Sequence, residues 1–369
     1  MIKDIFKFYN NKRVFVTGHT GFKGSWMTTV LLMAGAKVTG YALAPPTDPA
    51  LFTLLSLDDE SAVNERYNGE LTNVYADIRD LEALKGAFER AKPEIVIHMA
   101  AQPLVRASYD DPVGTYATNV MGTVNVLECC RLTDGIKSIV NVTTDKVYRN
   151  KERKEGYREE EELCGFDPYA NSKSCSELVT DSYRKSFLRD KGVPVTTMRA
   201  GNVIGGGDFA KDRIIPDCVR AAMAHEDIIV RNPDSVRPYQ HVLEPVICYL
   251  SVAAGQYIDP QIEGCYNIGP DDEDAVSTAR LATLFCNKWN MDGGNVNWVN
   301  KSVGGPHEDN YLKLDCTKIK ENLEWYPVWN IERAVEELAK WYRIYAEGTD
   351  VREITGRQIN DYLFDYSHQ

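Results

Sequence analysis

The feature that most constrains the fold of this chain is a regular alternation of short apolar runs with helix-length segments over its first 200 residues. Such alternation is typical of repeated strand–helix–strand units, which pack as a parallel sheet with helices on both faces. We therefore predict a doubly wound α/β fold of the Rossmann type. The predicted strands are residues 13–18, 37–43, 94–100, 137–144 and 193–200, and the predicted helices are residues 22–35, 81–91, 112–132 and 168–188.

Beyond residue 200 the pattern changes to segments rich in glycine, proline and charge, such as GNVIGGGDFAKDRIIPD, and then to a more helical part from Val276. A chain of 369 residues is also longer than one average domain. These two observations predict two domains. The Rossmann domain is assigned residues 1–200 with a returning segment near 235–255, and the smaller, interleaved domain is assigned residues 201–234 and 256–369.

Charge and cysteine content limit the partners and the compartment. The formal net charge is −12 at pH 7 and the sequence pI is about 5.1, so nucleic acids and anionic membrane surfaces are not expected as general partners. The nine cysteines include the adjacent pair Cys129 and Cys130 but no CxxC motif, which predicts free thiols in a reducing cytoplasm and no metal site. The amino terminus lacks the apolar core of a signal peptide, so we expect a soluble protein.

Three glycines follow the first predicted strand in VFVTGHTGFKGSW, namely Gly18, Gly21 and Gly24. Their GxxGxxG spacing is a variant of the dinucleotide-binding fingerprint, in which glycines let a pyrophosphate approach the N-terminus of a helix. A plain strand-to-helix turn is the alternative for glycines considered alone. Their position after an amino-terminal strand, with a strand–helix–strand unit following, favours a dinucleotide site.

The end of the second strand does not decide which dinucleotide binds. An acidic residue there indicates NAD and an arginine indicates NADP, but the segment GYALAPP contains neither. After a third strand, Asp77 is predicted to accept a hydrogen bond from the adenine amino group. A helix N-cap is an equally good interpretation for Asp80 and a weaker one for Asp77.

The motif DPYANSK places Tyr169 and Lys173 four residues apart, on one face of a predicted helix. An ammonium beside a phenol lowers the phenol pKa from about 10, so the tyrosine can serve as an acid or a base at a carbinol oxygen. Such a pair also occurs often by chance. Thr144 lies at the carboxyl end of a predicted parallel strand, where open α/β sheets bind their ligands, and this favours a catalytic site.

These motifs resemble the extended short-chain dehydrogenase/reductase family, whose members include NAD-dependent epimerases and dehydratases. The resemblance rests on TGHTGFKG, HMAAQ, ATNVMGT, TTD and YANSK. More closely, the CDP-D-glucose 4,6-dehydratases of that family are similar from near residue 10 to the carboxyl terminus, through HMAAQPLVR, DKVY, RAGNVIGGGD, DRIIPD, RPYQHVLEP and HEDNYLKLD. The resemblance therefore implies a hydro-lyase that uses NAD and acts on CDP-glucose.

The resemblance implies three linked steps at one site. NAD+ takes a hydride from C4 of the hexose while Tyr169 removes the hydroxyl proton, water is eliminated across C5 and C6, and the hydride returns to C6. By family position, Thr144 supports the C4 oxygen, Asp145 protonates the leaving C6 hydroxyl, and Lys146 stands where related dehydratases carry a glutamate base. A surface ion pair at a strand end is the alternative interpretation of Asp145 and Lys146.

The resemblance also implies the residues that contact each ligand. For NAD they are Gly18, Thr20, Gly21, Phe22, Lys23, Gly24, Asp77, Ile78, Ala100, Ala101, Gln102, Asn119, Tyr169 and Lys173. For the nucleotide sugar they are Gln102, Ser108, Thr144, Asn202, Arg213, Asn232, Arg237, His241 and Tyr311. Residues 199–241 are neutral overall within an acidic chain, so their cations are candidates for holding a diphosphate. These cations are Arg213, Arg231, Arg237 and His241, and arginines lying over a loop-rich surface are the alternative.

Two other functions remain open from the sequence. A nucleotide-sugar epimerase or reductase of the same fold would need Tyr169 but not the pair Asp145 and Lys146, and a regulator that senses a dinucleotide would need none of these side chains. Family members commonly dimerise through two helices. Residues 112–132 and 168–188 are therefore expected to carry the contacts of a homodimer or a higher homo-oligomer.

Overall fold

The computed structural model describes residues 2–291, 293–301 and 311–369, and it is built around one parallel sheet. The strands are β1 (Arg13–Thr17), β2 (Lys37–Ala42), β3 (Glu70–Tyr75), β4 (Ile95–His98), β5 (Ser138–Thr144), β6 (Val195–Ala200), β7 (Val203–Ile204), β8 (Ile228–Val230), β9 (Val236–Arg237), β10 (Gln240–His241), β11 (Cys265–Ile268), β12 (Val276–Ser277) and β13 (Trp298–Asn300). Seven of them form the central sheet in the order β11-β6-β5-β4-β1-β2-β3, and every neighbouring pair is parallel. The predicted doubly wound fold is confirmed.

The helices are α1 (Ile5–Tyr9), α2 (Phe22–Met33), α3 (Leu51–Leu54), α4 (Glu60–Arg66), α5 (Leu81–Ala91), α6 (Val105–Asp110), α7 (Pro112–Tyr116), α8 (Gly122–Leu132), α9 (Pro168–Tyr183), α10 (Ile214–Met223), α11 (Leu243–Ile258), α12 (Thr278–Asn290), α13 (Thr317–Leu323), α14 (Ile331–Ala346) and α15 (Val351–Ser367). A π-helical turn at Ala117–Met121 joins α7 to α8, and another at Arg184–Leu188 extends α9. The long predicted helices at 112–132 and 168–188 are therefore confirmed. Within the described part of the chain, none of the helices has the length and apolar character that a membrane span requires.

Successive strand residues enter two different hydrophobic cores, one on each face of the sheet. In β1, Val14 and Val16 pack in the larger core, whereas Phe15 packs in the smaller one. In β5, Val140 lies in the larger core and Ile139 in the smaller. Because strand side chains alternate between faces, this pattern requires helices on both sides of the sheet.

Local sequence signals set the starts of two helices that frame the site. Asp80 caps α5 by accepting a hydrogen bond from the backbone N–H of Ala83 at 3.0 Å, so its interpretation as an N-cap is confirmed. Asp167 caps α9 in the same way by accepting from the N–H of Ala170 at 2.8 Å, and Pro168 occupies the first helical position. The cap fixes where α9 begins and hence where the YANSK motif lies.

The sheet takes one edge strand from outside the predicted Rossmann domain. β11 pairs with β6, yet it lies within residues 256–369, which the sequence assigned to the smaller domain, and that assignment is wrong for this strand. Four residues between two glycines are too few to produce a recognisable strand pattern. Helix α11 lies against the same sheet, since Gln256 Nε2 donates to the carbonyl of Ile139 at 2.8 Å. The division into two domains otherwise stays a prediction.

The strand order predicts a ligand crevice at the carboxyl ends of the central strands. The chain runs outward from β1 in both directions, to β2 on one side and to β4 on the other. Open α/β sheets bind ligands outside the carboxyl ends of their strands at such a reversal. The carboxyl ends of β1, β4, β5 and β6 therefore mark the region in which the candidate residues should lie.

Candidate active site

Thr144, Asp145 and Lys146 form a hydrogen-bonded group at the carboxyl end of β5. Thr144 Oγ1 donates to Asp145 Oδ1 at 2.9 Å, and Lys146 Nζ donates to the same Oδ1 atom at 3.0 Å. Lys146 Nζ also donates to Asn202 Oδ1 at 3.1 Å. The Asp145 side chain is fully buried, whereas that of Lys146 is 25% exposed. The group is therefore a wall of the crevice, and the alternative of a solvated surface ion pair does not describe it.

The two threonines that end β5 point in opposite directions, as strand geometry requires. Thr143 donates to the buried carboxylate of Glu177, which also pairs with Arg199 at 2.9 Å. Thr143 therefore belongs to a structural network that joins the strand to α9. Only Thr144 is left to act at the crevice.

Helix α9 positions Tyr169 and Lys173 beside this group. The backbone N–H of Tyr169 donates to Ser108 Oγ at 3.2 Å, and Lys173 Nζ donates to the carbonyl of Val142 at 3.0 Å. Both side chains are almost fully buried, and Tyr169 is near enough to the Thr144 hydroxyl for that group to lower its pKa. The predicted catalytic side chains are therefore brought together by β5 and α9.

The pKa of Tyr169 differs from the sequence-based expectation. We expected the Lys173 ammonium to lower it, but burial raises the pKa of Tyr169 to about 12, and the hydrogen bond with Thr144 only partly opposes this. Burial also lowers the pKa of Lys173 to about 8, with the charge of Glu177 acting in the other direction.

The glycine turn has the shape expected of a pyrophosphate cradle. Gly18 has φ +77°, and an added Cβ would lie 2.8 Å from the backbone N of Ala100. An added Cβ at Gly24 would lie 2.1 Å from the carbonyl O of Gly18. At Gly21 the nearest protein atom would be 3.5 Å away, so the protein itself leaves room there. The turn therefore fits a bound dinucleotide phosphate, which would be the neighbour that requires glycine at this position.

This geometry predicts opposite effects for two similar substitutions. Gly24→Ala should destabilise the fold by roughly 1–3 kcal/mol or more, because its Cβ would overlap backbone atoms. Gly21→Ala should keep the stability of the unmodified protein but weaken NAD binding by about tenfold or more, because the Cβ would occupy the space for the phosphate. Thermal unfolding and calorimetric titration with NAD measure the two effects. Normal NAD binding by Gly21→Ala would contradict the cradle.

Other predicted contacts of the cofactor surround this turn. Thr20 Oγ1 donates to the carbonyl of Leu43 at 2.9 Å. Phe22, the first residue of α2, packs near Gly205. Ala100 follows β4, and its N–H donates to Thr17 Oγ1 at 3.1 Å, with Ala101 next to it. These positions agree with a dinucleotide at the crevice, and their contacts with NAD stay predictions.

Lys23 on α2 forms a buried pair with Tyr249 of α11. Lys23 Nζ lies 3.3 Å from the Tyr249 hydroxyl oxygen and 5.4 Å from the ring centroid. Burial lowers the pKa of Lys23 to about 7, the charges of Arg213 and Lys173 add to this, and Asp145 opposes it. These interactions place Lys23 at the same site. No sequence motif singled out Tyr249, because its partner is more than 200 positions away along the chain.

Asp77 and Ile78 follow β3 as expected, but both side chains already have protein contacts. The carboxylate of Asp77 pairs with Arg79 at 2.6 Å, and this pairing lowers its pKa. Ile78 is buried and packs closely against Gly122. A Cβ atom added to Gly122 would lie only 2.4 Å from the Cδ1 atom of Ile78. The Asp77 side chain is 27% exposed, so a ligand can reach its carboxylate. Its contact with an adenine amino group stays a prediction.

Gln102, Asn119 and Ser108 hold the loop after β4 rather than projecting freely into the crevice. The N–H of Gln102 donates to Asn119 Oδ1 at 2.8 Å, and Gln102 Nε2 donates to Thr115 Oγ1 at 2.9 Å. Asn119 and Ser108 are almost completely buried, and Ser108 Oγ donates to the carbonyl of Val105 at 2.6 Å. The structure therefore favours positioning roles for these three side chains over direct contact with the hexose.

The predicted diphosphate cations have different surroundings. Arg213 Nη1 pairs with Asp208 Oδ2 at 3.0 Å, and its charge acts on Tyr169, which places it near the catalytic side chains. Arg231 lies farther out and pairs with Asp212 at 3.3 Å. Arg213 is therefore the stronger candidate, although binding would have to compete with its carboxylate partner.

Strand β9 brings Arg237 and Tyr311 close together. Val236 forms a parallel bridge with Tyr311, and Arg237 Nη1 donates to the carbonyl of Val236 at 2.9 Å. Asn232 precedes this strand, where its carbonyl accepts from the N–H of Ser235 at 3.3 Å. These three predicted substrate residues thus share one loop region.

His241 does not have the surroundings of a phosphate ligand. It is fully buried, and its ring centroid lies 5.9 Å from that of Trp26 and 5.0 Å from that of Trp329. Burial lowers its pKa to about 3, so it is neutral at physiological pH and cannot serve as the predicted cation. That part of the prediction is wrong. Among the described residues, no His, Cys, Asp and Glu side chains cluster in the way that a metal site needs.

Comparison with known proteins agrees with this geometry. The family model described as GDP-mannose 4,6 dehydratase matches residues 15–338. A Salmonella typhimurium protein named CDP-glucose 4,6-dehydratase is 46% identical over 362 residues, covering 96% of this chain and 97% of that protein. A Mus musculus protein named dTDP-D-glucose 4,6-dehydratase is 26% identical over 334 residues, covering 90% of this chain and 89% of that protein.

Solved structures show the same fold at lower identity. A dTDP-glucose 4,6-dehydratase from Bacillus anthracis, solved in complex with NAD, superposes with a TM-score of 0.73 at 21% identity and covers 92% of this chain and 98% of its own. An epimerase from Methanothermobacter thermautotrophicus gives a TM-score of 0.77 at 21% identity and covers 96% and 98%. With the family model matching most of its length, the chain belongs to the GDP-mannose 4,6 dehydratase family.

Proposed function

We propose that this protein is a hydro-lyase that converts CDP-D-glucose into CDP-4-dehydro-6-deoxy-D-glucose and water with bound NAD+. The observation that carries the proposal is the buried Thr144–Asp145–Lys146 group beside Tyr169. The 46% identity to a protein named CDP-glucose 4,6-dehydratase supports the choice of substrate. When bound, NAD+ would accept the C4 hydrogen as hydride and later return it to C6.

The chain's own side chains supply the proton transfers. Tyr169 and Thr144 would hold the C4 oxygen, because β5 and α9 bring the two buried side chains near each other. Asp145 would give a proton to the departing C6 oxygen, and Lys146 would take the proton from C5. Lys173 would fix the position of the phenol and of the cofactor from its anchor on the Val142 carbonyl.

The Asp145–Lys146 pair favours a dehydratase over the alternatives. An epimerase or reductase oxidises and reduces one carbinol centre and needs no acid and base for elimination. A sensor of dinucleotides needs neither reaction, and a buried, hydrogen-bonded ionic group at its ligand site would serve no purpose. The contact between Asp145 and Lys146 supports the proposal, because elimination needs both an acid and a base.

Several finer features belong to the same proposal. The diphosphate would bind Arg213 with help from Arg231 and Arg237, while Asn202, Asn232 and Tyr311 would contact the sugar or the nucleotide. Gln102 and Ser108 would shape the hexose pocket from behind. The nine unpaired cysteines favour a reducing compartment such as the cytoplasm.

A homodimer is proposed on the basis of exposed apolar side chains. Val113 and Met121 on one helix are 78% and 53% exposed, and Leu178 and Phe187 on its neighbour are 57% and 44% exposed. Apolar side chains spaced along two adjacent helices favour a second copy of the chain as the partner. Light scattering of the purified protein tests this.

One experiment tests the reaction directly. The protein is incubated with catalytic amounts of NAD+ and, separately, with CDP-, dTDP-, UDP- or GDP-glucose, while the ultraviolet signature of a 4-keto-6-deoxy product is followed. We expect product with CDP-glucose and no net accumulation of NADH, because the cofactor is regenerated within each cycle. Stoichiometric NADH would instead identify a simple dehydrogenase, and product from another nucleotide sugar only would reject the assigned base.

A further inference from the structure

Lys146 is the proposed base of the elimination, and its long side chain must be held in place. A lysine amine ends a flexible stem of four carbons, so its position depends on the groups that accept its hydrogen bonds. The Lys146 side chain is 25% exposed, so packing does not confine it completely. A base has to lie within hydrogen-bond reach of the proton that it removes. The acceptors of the Lys146 amine therefore decide whether it can serve at C5.

Two acceptors hold this amine, and they come from different parts of the chain. Asp145 Oδ1 accepts from Lys146 Nζ at 3.0 Å, but Asp145 is the neighbouring residue and lies on the same turn. Asn202 Oδ1 accepts from the same Nζ atom at 3.1 Å and lies 56 positions further along the chain. A second acceptor on a separate segment limits the directions in which the amine can turn. Asn202 therefore ties Lys146 to another part of the site.

The backbone of Asn202 is itself held by the segment that leads into β10. Asn202 lies between the end of β6 and the start of β7, and its carbonyl accepts a hydrogen bond from the N–H of Gln240 at 3.0 Å. Directly after it, β7 and β10 pair in parallel. Directly before it, a Cβ atom added to Gly201 would lie 2.7 Å from Pro238 Cγ, so the two segments pack closely. The Asn202 amide therefore extends from a fixed backbone.

The hydrogen bond to Lys146 also fixes which way the Asn202 amide points. Lysine Nζ is a donor of hydrogen bonds, so the oxygen of the amide faces it and the nitrogen does not. That leaves the Nδ2 atom facing away from Lys146. An oxygen of the sugar or the diphosphate would accept from Nδ2, in keeping with the substrate contact that the resemblance implies. The two ends of one amide would thus face the base and the substrate.

We propose, on the basis of the function proposed above, that Asn202 is a positioning residue that holds the Lys146 amine in place for removal of the C5 proton. Asn202 acts through Lys146 and takes no part in oxidation at C4, which Tyr169 serves. One hydrogen bond to a partly exposed lysine contributes little to the stability of a fold. Its loss should therefore change the rate of one step and leave the temperature of unfolding unchanged.

The test measures single turnovers, with the holoenzyme in excess over CDP-glucose and at a concentration above the KM. Near-ultraviolet absorbance of the reduced cofactor rises during oxidation at C4 and falls after elimination, when the hydride returns to C6. Asn202→Ala should show a near-normal rise, and its fall should be slower by about 10-fold to 10²-fold, because a displaced base reacts poorly. In the Lys146→Met background the same substitution should cause no further slowing, because no amine is left to position.

Asn290→Ala is the matched control. The Asn290 amide accepts from the N–H of Val296 and donates to its carbonyl, both at 2.9 Å, and so holds backbone rather than a lysine. Both phases of this variant should match those of the unmodified protein. Asn202→Leu, which keeps the branched shape of the side chain, gives the same comparison if Asn202→Ala unfolds at a lower temperature.

A residue that only binds the substrate would give a different result. Removing Asn202 would then raise the KM and slow Lys146→Met by the same factor as the unmodified protein, and the positioning role would be wrong. It would also be wrong if the rise and the fall slowed together, since that would indicate a general change in the site. Absence of any 4-keto-6-deoxy product from the unmodified protein would instead reject the proposed function.

Discussion

Tyr169→Phe is expected to reduce turnover of CDP-glucose by at least about 10²-fold, the effect of losing a general acid or base. The phenol is buried beside Thr144, and burial raises its pKa to about 12, so it holds its proton at neutral pH. It can therefore accept the C4 proton only while passing its own proton on. Phenylalanine keeps the ring but can do neither, and the steady-state rate of product formation measures the loss.

A matched control is available at the opposite end of the sheet. The hydroxyl of Tyr266 donates to the carbonyl of Ile262, before β11 begins, and so lies away from the carboxyl ends of the strands. Tyr266→Phe removes a partly buried phenolic hydroxyl of the same kind and should keep near-normal turnover. Near-normal turnover of Tyr169→Phe, with both variants folded, would mean that the YANSK motif is not catalytic.

The parallel sheet could be predicted from sequence because its central strands are continuous apolar runs. Ser138–Thr144, for example, is buried at every position, which is typical of a strand covered on both faces. The edge strand β11 has only four residues and lies between Gly264 and Gly269, so its membership of the sheet depends on pairing with β6. Pairing between distant segments is a tertiary property, and periodicity does not record it.

The catalytic group could be predicted for a related reason. Thr144, Asp145 and Lys146 are consecutive, and a strand end in a parallel sheet fixes where they lie. Tyr249 could not be found in this way, because its contact with Lys23 joins α11 to α2 and no motif spans that separation. Patterns of neighbouring residues can therefore reveal catalytic side chains. Contacts between residues far apart in the chain, such as that between Lys23 and Tyr249, are found only from the three-dimensional structure.

Charge state was predicted less well than position, because burial changes it. His241 was taken as a cation from its place in a segment that is neutral within an acidic chain, but burial between two tryptophans lowers its pKa. The pKa of Tyr169 was expected to fall and instead rises. Desolvation opposes the charged form of every buried group, and the depth of burial cannot be read from neighbouring letters of a sequence.

Lys146→Met is expected to permit oxidation at C4 but to stop elimination, lowering overall turnover by about 10²-fold or more. Methionine fills a similar volume and has no amine, so the C5 proton has no acceptor at this position. Tyr169, Thr144 and Asp145 remain in place, and the first step should still occur. Stopped-flow absorbance should therefore show reduced cofactor that forms at a near-normal rate and then persists.

Isotope incorporation and a surface control complete the test. Product formed by the unmodified protein in D2O should carry deuterium at C5, since the amine of Lys146 exchanges its protons with solvent. Lys37→Met removes an exposed lysine at the amino end of β2, where it pairs with Glu70, and should leave turnover unchanged. Lys146 would not be the base if its methionine variant turned over like Lys37→Met, or if product from D2O lacked deuterium at C5. Asp145 and Asn202 accept hydrogen bonds from the Lys146 amine and so fix its position. Either result would mean that a side chain other than Lys146 removes the C5 proton.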